Sequence, residues 1–182
     1  SNESGKLARI KSLEMNSISQ ELIQCCHDYF EENRNKILIC LSELKEEDIW
    51  KRPNESSNAI GNQMLHLCGN IRQYVISSLG RQQDLRQRAL EFSTKEGHSK
   101  KEITTLFADT VQEAKMIILN LEEQELNRVR PVQTYVQSGV HVLIHVTEHF
   151  SYHTGQIVFW TKQLIDKDLG FYTGLDLNKR DQ

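Results

Sequence analysis

The stretch GVHVLIHVTEHFSYHTGQIVFWTKQL, residues 139–164, decides the fold. Gly139, Leu143, Val146, Phe150, His153, Ile157, Trp160 and Leu164 recur at alternating steps of four and three. That spacing draws one apolar seam along a helix. Three further stretches repeat it. Cys26, Phe30, Asn33, Ile37, Cys40 and Leu44 form the first, with Asn16 or Ser17 as its cap. Ile60, Met64, Leu67, Ile71, Tyr74 and Ser78 form the second, opened by Asn58 and stopped by Gly80. Ile103, Phe107, Thr110, Ala114, Ile117 and Leu121 form the third, after the capping-box pattern Ser99-x-x-Glu102. Four such stripes predict an all-α fold, an up-down-type four-helix bundle.

Composition agrees. The 182 residues hold 2 prolines and 9 glycines, where average usage would give about 9 and 13. That shortage disfavours many short strands and tight turns. With 38% hydrophobic residues the chain can build a core. It has no apolar run of the roughly 20 residues that a membrane span needs. Residues 1–14 read as an N-terminal extension, partly vector-derived from its Ser1-Asn2 start, and 15–182 as a single domain. The long connections 45–58, 81–98 and 122–136 are places for a site cover or a contact. The last holds Val129, Val132 and Val136 around Pro131, which suggests a short β-like piece.

A net charge of −3 and a pI near 6.2 argue against nucleic acid as a partner. Cys25, Cys26, Cys40 and Cys68 lack zinc-knuckle spacing, and the first two are adjacent. They read as reduced thiols of a cytoplasmic protein.

Four of the seven histidines, His141, His145, His149 and His153, are spaced by four. Neighbours in that series share a helix face and can chelate one ion. His141 and His153 lie about 18 Å apart along the axis, so the four cannot share it. Spacing leaves three candidate pairs. The seam narrows the choice, because His153 falls on it and His149 flanks it. A third ligand must come from another helix. His66, beside the seam residue Leu67, is placed near the core. Cys68 lies about 200° from it around the helix, on another face. His27 and His98 have no partner at ligand spacing and read as surface residues.

Absent motifs also constrain the chemistry. The sequence contains no Glu-x-x-His of a di-iron bundle, no His-Glu-x-x-His and no Gly-rich phosphate loop. Three neutral histidines leave a divalent ion its full charge and open positions.

Trp50-x-x-Pro53, Ser57-Asn58-Ala59-Ile60-Gly61-Asn62 and His66-Leu67 resemble the first metal-ligand region of the DinB-like, or YfiT-like, superfamily of metal-dependent enzymes. His149-x-x-x-His153-Thr154-Gly155-Gln156 is similar to its second, H-x-x-x-H-x-G-Q. Gly80, Asp84-x-Arg86-x-Arg88-x-x-Glu91-Phe92 and the tail Lys162-x-Leu164 to Phe171-Tyr172 resemble one poorly characterised branch. The resemblance spans about residues 20–175 and implies a four-helix bundle with a divalent metal, nickel or zinc foremost, on His66, His149 and His153. It also implies a low-molecular-weight thiol cofactor, and thiol-transferase or hydrolase activity on a small molecule.

Around that site Asn70, Gln156, Trp50 and Tyr152 are candidates for holding a ligand or lining a pocket. Arg86 and Arg88 are candidate anion contacts. The bland reading of the set Arg81, Asp84, Arg86, Arg88 and Glu91 is a surface ion-pair loop. Phe92 and the 169–177 tail would cover the bundle end or a homodimer surface. No general base is assignable. The alternative function is a non-catalytic, stress-related metal-binding or interaction protein whose ion is structural.

Overall fold

The computed structural model describes residues 16–180; the 1–14 extension and Met15 lie outside the described residues. Six α-helices and one two-stranded sheet are present among them. The four stripes become four long helices. They are α1 (Ser17–Glu43), α2 (Ile60–Ile71, continued as a π-helix over Arg72–Leu79), α4 (Lys100–Leu119) and α6 (Gly139–Ile165). Asn16 caps α1 by accepting from the Ser19 N–H, and Ser138 caps α6 by accepting from that of His141. Ser99 and Glu102 form the expected reciprocal capping box. At α2 the cap is Ala59 rather than Asn58, and the Asn62 side chain accepts from the Ala59 N–H.

α1 packs on α4 and α6, and α2 packs on the same two helices. The order around the bundle is therefore α1, α4, α2, α6, not the order in sequence. This explains two of the long connections: 44–59 and 120–138 each cross a diagonal. The first contains a 3-10 turn, Glu46–Asp48. The second contains α5 (Glu123–Asn127), β1 (Val129–Val132) and β2 (Tyr135–Ser138). The strands form the β-like piece around Pro131, an antiparallel hairpin pairing Val129 with Ser138 and Val132 with Tyr135. The third connection carries a helix that periodicity did not reveal, α3 (Arg88–Ser93).

The predicted seams line the core and drift towards their ends: Leu79 is buried in place of Ser78 and Ile118 in place of Ile117, and α6 drifts furthest. Along α6 the buried positions are Val142, Leu143, Val146 and Phe150, then Thr154, Ile157 and Thr161. His153, Trp160 and Leu164 are half-buried flanks. A strict four-three repeat slips by about 20° per heptad on a straight helix. After Phe150 the core line therefore passes from His153 to Thr154 and from Trp160 to Thr161, while Ile157 keeps its place. His153 leaves the core centre and turns to the side of α6 shared with His149.

Phe150 anchors the middle of the bundle. Its ring meets Phe30 of α1 edge-on at 5.1 Å and Phe107 of α4 at 5.9 Å, and it is fully buried. Close helix approach also sets Gly80. A methyl group there would collide with the Ile76 carbonyl and with Ile117 of α4. The residue that turns left-handed is Arg81, at φ 57°. Beyond α6, Leu169 is buried and Phe171 packs on the core, so part of the tail covers the bundle. No helix among the described residues is long and apolar enough to cross a membrane.

Phe150→Ala should cost about 3–5 kcal/mol of unfolding free energy in urea titration, with Phe150→Leu costing clearly less. Equal losses for the two variants would show that the aromatic contacts do not anchor the bundle.

Candidate metal centre

α2 and α6 pack side by side, and their facing sides carry the histidines. His66, His149 and His153 each bring one ring nitrogen into a group whose members lie within 4.8 Å of one another. The Nε2 atoms of His66 and His149 are 2.9 Å apart. Ring centroids are 4.9 Å apart for His66 and His153, and 4.5 Å for His149 and His153. His66 is buried, and the other two are half-buried. The helical spacing of four thus brings together the pair nearest His66. His141 is exposed and stands apart from the group. His145 stacks on Tyr74 at 4.6 Å and runs parallel to His149 at 5.9 Å.

Burial, then the neighbouring rings of His153, His66 and His145 and the Arg86 cation, push the His149 pKa down to about 3. Burial and His66 push that of His153 down to about 4, against a hydrogen bond with Gln156. Both rings are therefore neutral at pH 7, the state a metal ligand needs.

Glu91 makes the other half of the centre. Its Oε2 lies 2.9 Å from His66 Nδ1. Arg86 grips the same carboxylate through Nε, 2.7 Å from Oε1, and Nη2, 2.8 Å from Oε2. Arg86 Nη1 donates to Gln73 Oε1 at 2.8 Å. Gln73 Nε2 in turn donates to Asp84 Oδ2 at 2.7 Å. Burial raises the carboxyl pKa of Glu91, but the hydrogen bonds from Arg86 and His66 outweigh it and hold the group below its usual range. Glu91 is 7% exposed and the Arg86 side chain 3%. The set read as a surface loop is paired as expected, but the pair is interior.

Periodicity could not find Glu91, which sits on a six-residue helix between two long ones. A signal did exist in Gly69, an interior helix glycine three residues after His66. A methyl group there would overlap the Glu91 carboxylate and press on Arg86 Nε. Asn62, one turn before His66, ties down α3 by donating to the carbonyls of Glu91 at 3.0 Å and Thr94 at 2.7 Å.

The remaining candidates take varied places. Asn70 is buried one turn beyond His66, and its Oδ1 has no hydrogen-bond partner among the described residues. Gln63 Oε1 lies 3.4 Å from His153 Nδ1. Tyr152 is exposed and sets its ring edge-on to His153 at 5.2 Å. Trp50 packs its ring over Gly61, and its indole N–H donates to the His98 carbonyl. Arg86 is consumed by Glu91 and Gln73. Arg88 is exposed, with its guanidinium 4.8 Å from the Phe92 ring centre. The same ring lies 4.9 Å from that of His66.

The donor set fits a divalent ion. It is three imidazoles, two of them kept neutral by burial, and the third, His66, has its second nitrogen bonded to a carboxylate, as metal-binding histidines commonly do. No further His, Cys, Asp or Glu joins the group among the described residues.

The pKa values carry a stability consequence. The two histidines titrate near pH 6.5 in the unfolded chain and at about 3 and 4 when folded. Between those limits the unfolded chain binds more protons, so stability falls as pH drops. Metal-free protein should show a Tm that declines from pH 6.5 towards 4. His149→Gln should lose less Tm than the parent between pH 6.5 and 5. Parallel curves for the two would contradict the neutral-imidazole assignment.

No curated protein matches this sequence. Among solved structures, the DinB-like protein YjoA of Bacillus subtilis superposes with a TM-score of 0.62 at 15% identity, covering 79% of this chain and 94% of that one. A conserved protein of Enterococcus faecalis superposes with a TM-score of 0.56 at 18% identity, covering 85% and 99%. These likenesses establish the DinB-like bundle as the fold. A family model, "Protein of unknown function (DUF1572)", matches residues 17–173, a span that includes all four long helices and every residue of the histidine centre. The chain therefore belongs to the DUF1572 family.

Proposed function

We propose that the protein is a metal-dependent enzyme that uses the ion on His66, His149 and His153 in a transfer or hydrolysis reaction on a small molecule. One observation carries this reading. Three ring nitrogens converge, and no fourth ligating side chain closes the group among the described residues. A structural site is completed by a fourth protein ligand, whereas a catalytic one keeps a position open.

Nickel or zinc suits three imidazoles. A bound divalent ion would supply Lewis acidity and lower the pKa of a water or thiol. The chain's own residues do the rest. His149 and His153 stay neutral and leave lone pairs available. Asn70 offers an unused acceptor to the ligand. Phe92 lines the His66 side as an apolar wall. Arg88, which has no hydrogen-bonding partner among the described residues, presents a cation beside that wall. This combination suits a low-molecular-weight thiol with an anionic group, and Arg88 rather than Arg86 would meet that group. The small-molecule reading also fits the net charge of −3, which gives no electrostatic attraction to nucleic acid. Cytoplasmic location and homodimer formation belong to the same proposal.

Elemental analysis of untagged protein reconstituted with Zn2+ or Ni2+ should find close to one ion per chain, and His149→Ala should lose most of it. Unchanged metal content in the variant would remove the site. In the cobalt-substituted protein, an added anionic thiol should change the visible spectrum, and Arg88→Ala should weaken that binding roughly tenfold without changing metal content. A spectrum unmoved by any thiol would favour the non-catalytic alternative.

A further inference from the structure

The contact between Glu91 and His66 is made on the ring nitrogen that does not face the other histidines. Nδ1 meets the carboxylate, while Nε2 points at His149. The carboxylate is ionised, because Arg86 holds both of its oxygens. An ionised carboxylate only accepts hydrogen bonds, so the 2.9 Å contact requires the proton on Nδ1. A neutral imidazole has one N–H, and the Nε2 lone pair is then free. The competing arrangement is also visible. Arg86 Nη2 lies 3.2 Å from His66 Nδ1 and could donate to it, which would put the proton on Nε2 and block that nitrogen. The two alternatives differ in whether the Nε2 that faces the cluster is bare or protonated.

We propose that Glu91, backed by Arg86, is a positioning residue that locks His66 in the Nδ1–H tautomer and aims a bare Nε2 into the three-histidine centre. The pair adds no net charge, so the lock leaves the electrostatic balance of the site unchanged. Its fittings are specific. Gly69 leaves the space the carboxylate occupies, Asn62 pins the backbone of α3, and Gln73 holds the far end of Arg86. The connection between α2 and α4 is thereby part of the centre rather than a surface strap. This inference rests on the metal reading above for its consequence, but its tautomer claim stands on the metal-free protein.

The test has two arms. Long-range 1H–15N correlation spectra of metal-free protein at pH 7.5 should show His66 as the Nδ1–H tautomer. Glu91→Ala should shift it towards Nε2–H or a mixture. Separately, Zn2+ affinity measured by chelator competition should fall about 10–100-fold in Glu91→Ala. Glu91→Gln, which keeps an acceptor oxygen, should lose less, and Gly69→Ala should weaken binding through displacement of the carboxylate. Circular dichroism checks that each variant folds, and if Glu91→Ala does not, Glu91→Gln and the wild-type tautomer carry the decision. An Nε2–H tautomer in the wild type would overturn the inference. So would Zn2+ affinity within threefold of wild type in the folded Glu91 variants. Wild-type protein that binds no Zn2+ but shows the Nδ1–H tautomer would sink the metal reading and leave the lock standing.

Discussion

Packing α2 against α6 buries polar rings, and that burial governs the rest of the structure. An imidazole in a helix seam needs a partner for each nitrogen, since an unpaired buried polar group costs on the order of 1–3 kcal/mol. His66 meets this demand on one side with Glu91 and on the other with the cluster. Glu91 in turn must be paired, because an isolated buried carboxylate is far more expensive. Arg86 supplies that charge, Gln73 satisfies Arg86, and Asp84 satisfies Gln73. One buried histidine thus explains why an exposed-looking connection folds inward and why α2 carries a glycine three residues after it.

The topology serves the same end. With α1 and α2 on a diagonal, α2 and α6 become neighbours although they are far apart in sequence. The two connections that cross the bundle are long for that reason, and the one between neighbouring helices is long because it brings Glu91. The aromatic contacts of Phe150 fix α6 against α1 and α4, which leaves its histidine side facing α2.

Much of this was legible in the residues. Seam positions from Cys26 to Leu44 and from Ile60 to Tyr74 read directly as core because a heptad pattern reports burial on a helix. The histidine series announced a shared face, and His66 stood out through its apolar neighbours. The drift after Phe150 was less visible, since a repeat counted in integers ignores the 3.6-residue turn. Glu91 was hidden for a different reason. Charge in a connecting segment ordinarily means solvent, and only the fold shows Arg86 and Glu91 turning inward onto Gly69. The diagonal order of the helices likewise depends on contacts between distant segments, which periodicity does not encode.

The proposed centre holds one divalent ion on His66, His149 and His153 with a position left open. X-ray absorption spectroscopy of the zinc-loaded protein tests it most directly. The zinc should be bound by three imidazole nitrogens at about 2.0–2.1 Å, with a light, exchangeable oxygen completing the shell. Sulfur scattering, a fourth protein ligand or fewer than three imidazoles would contradict it.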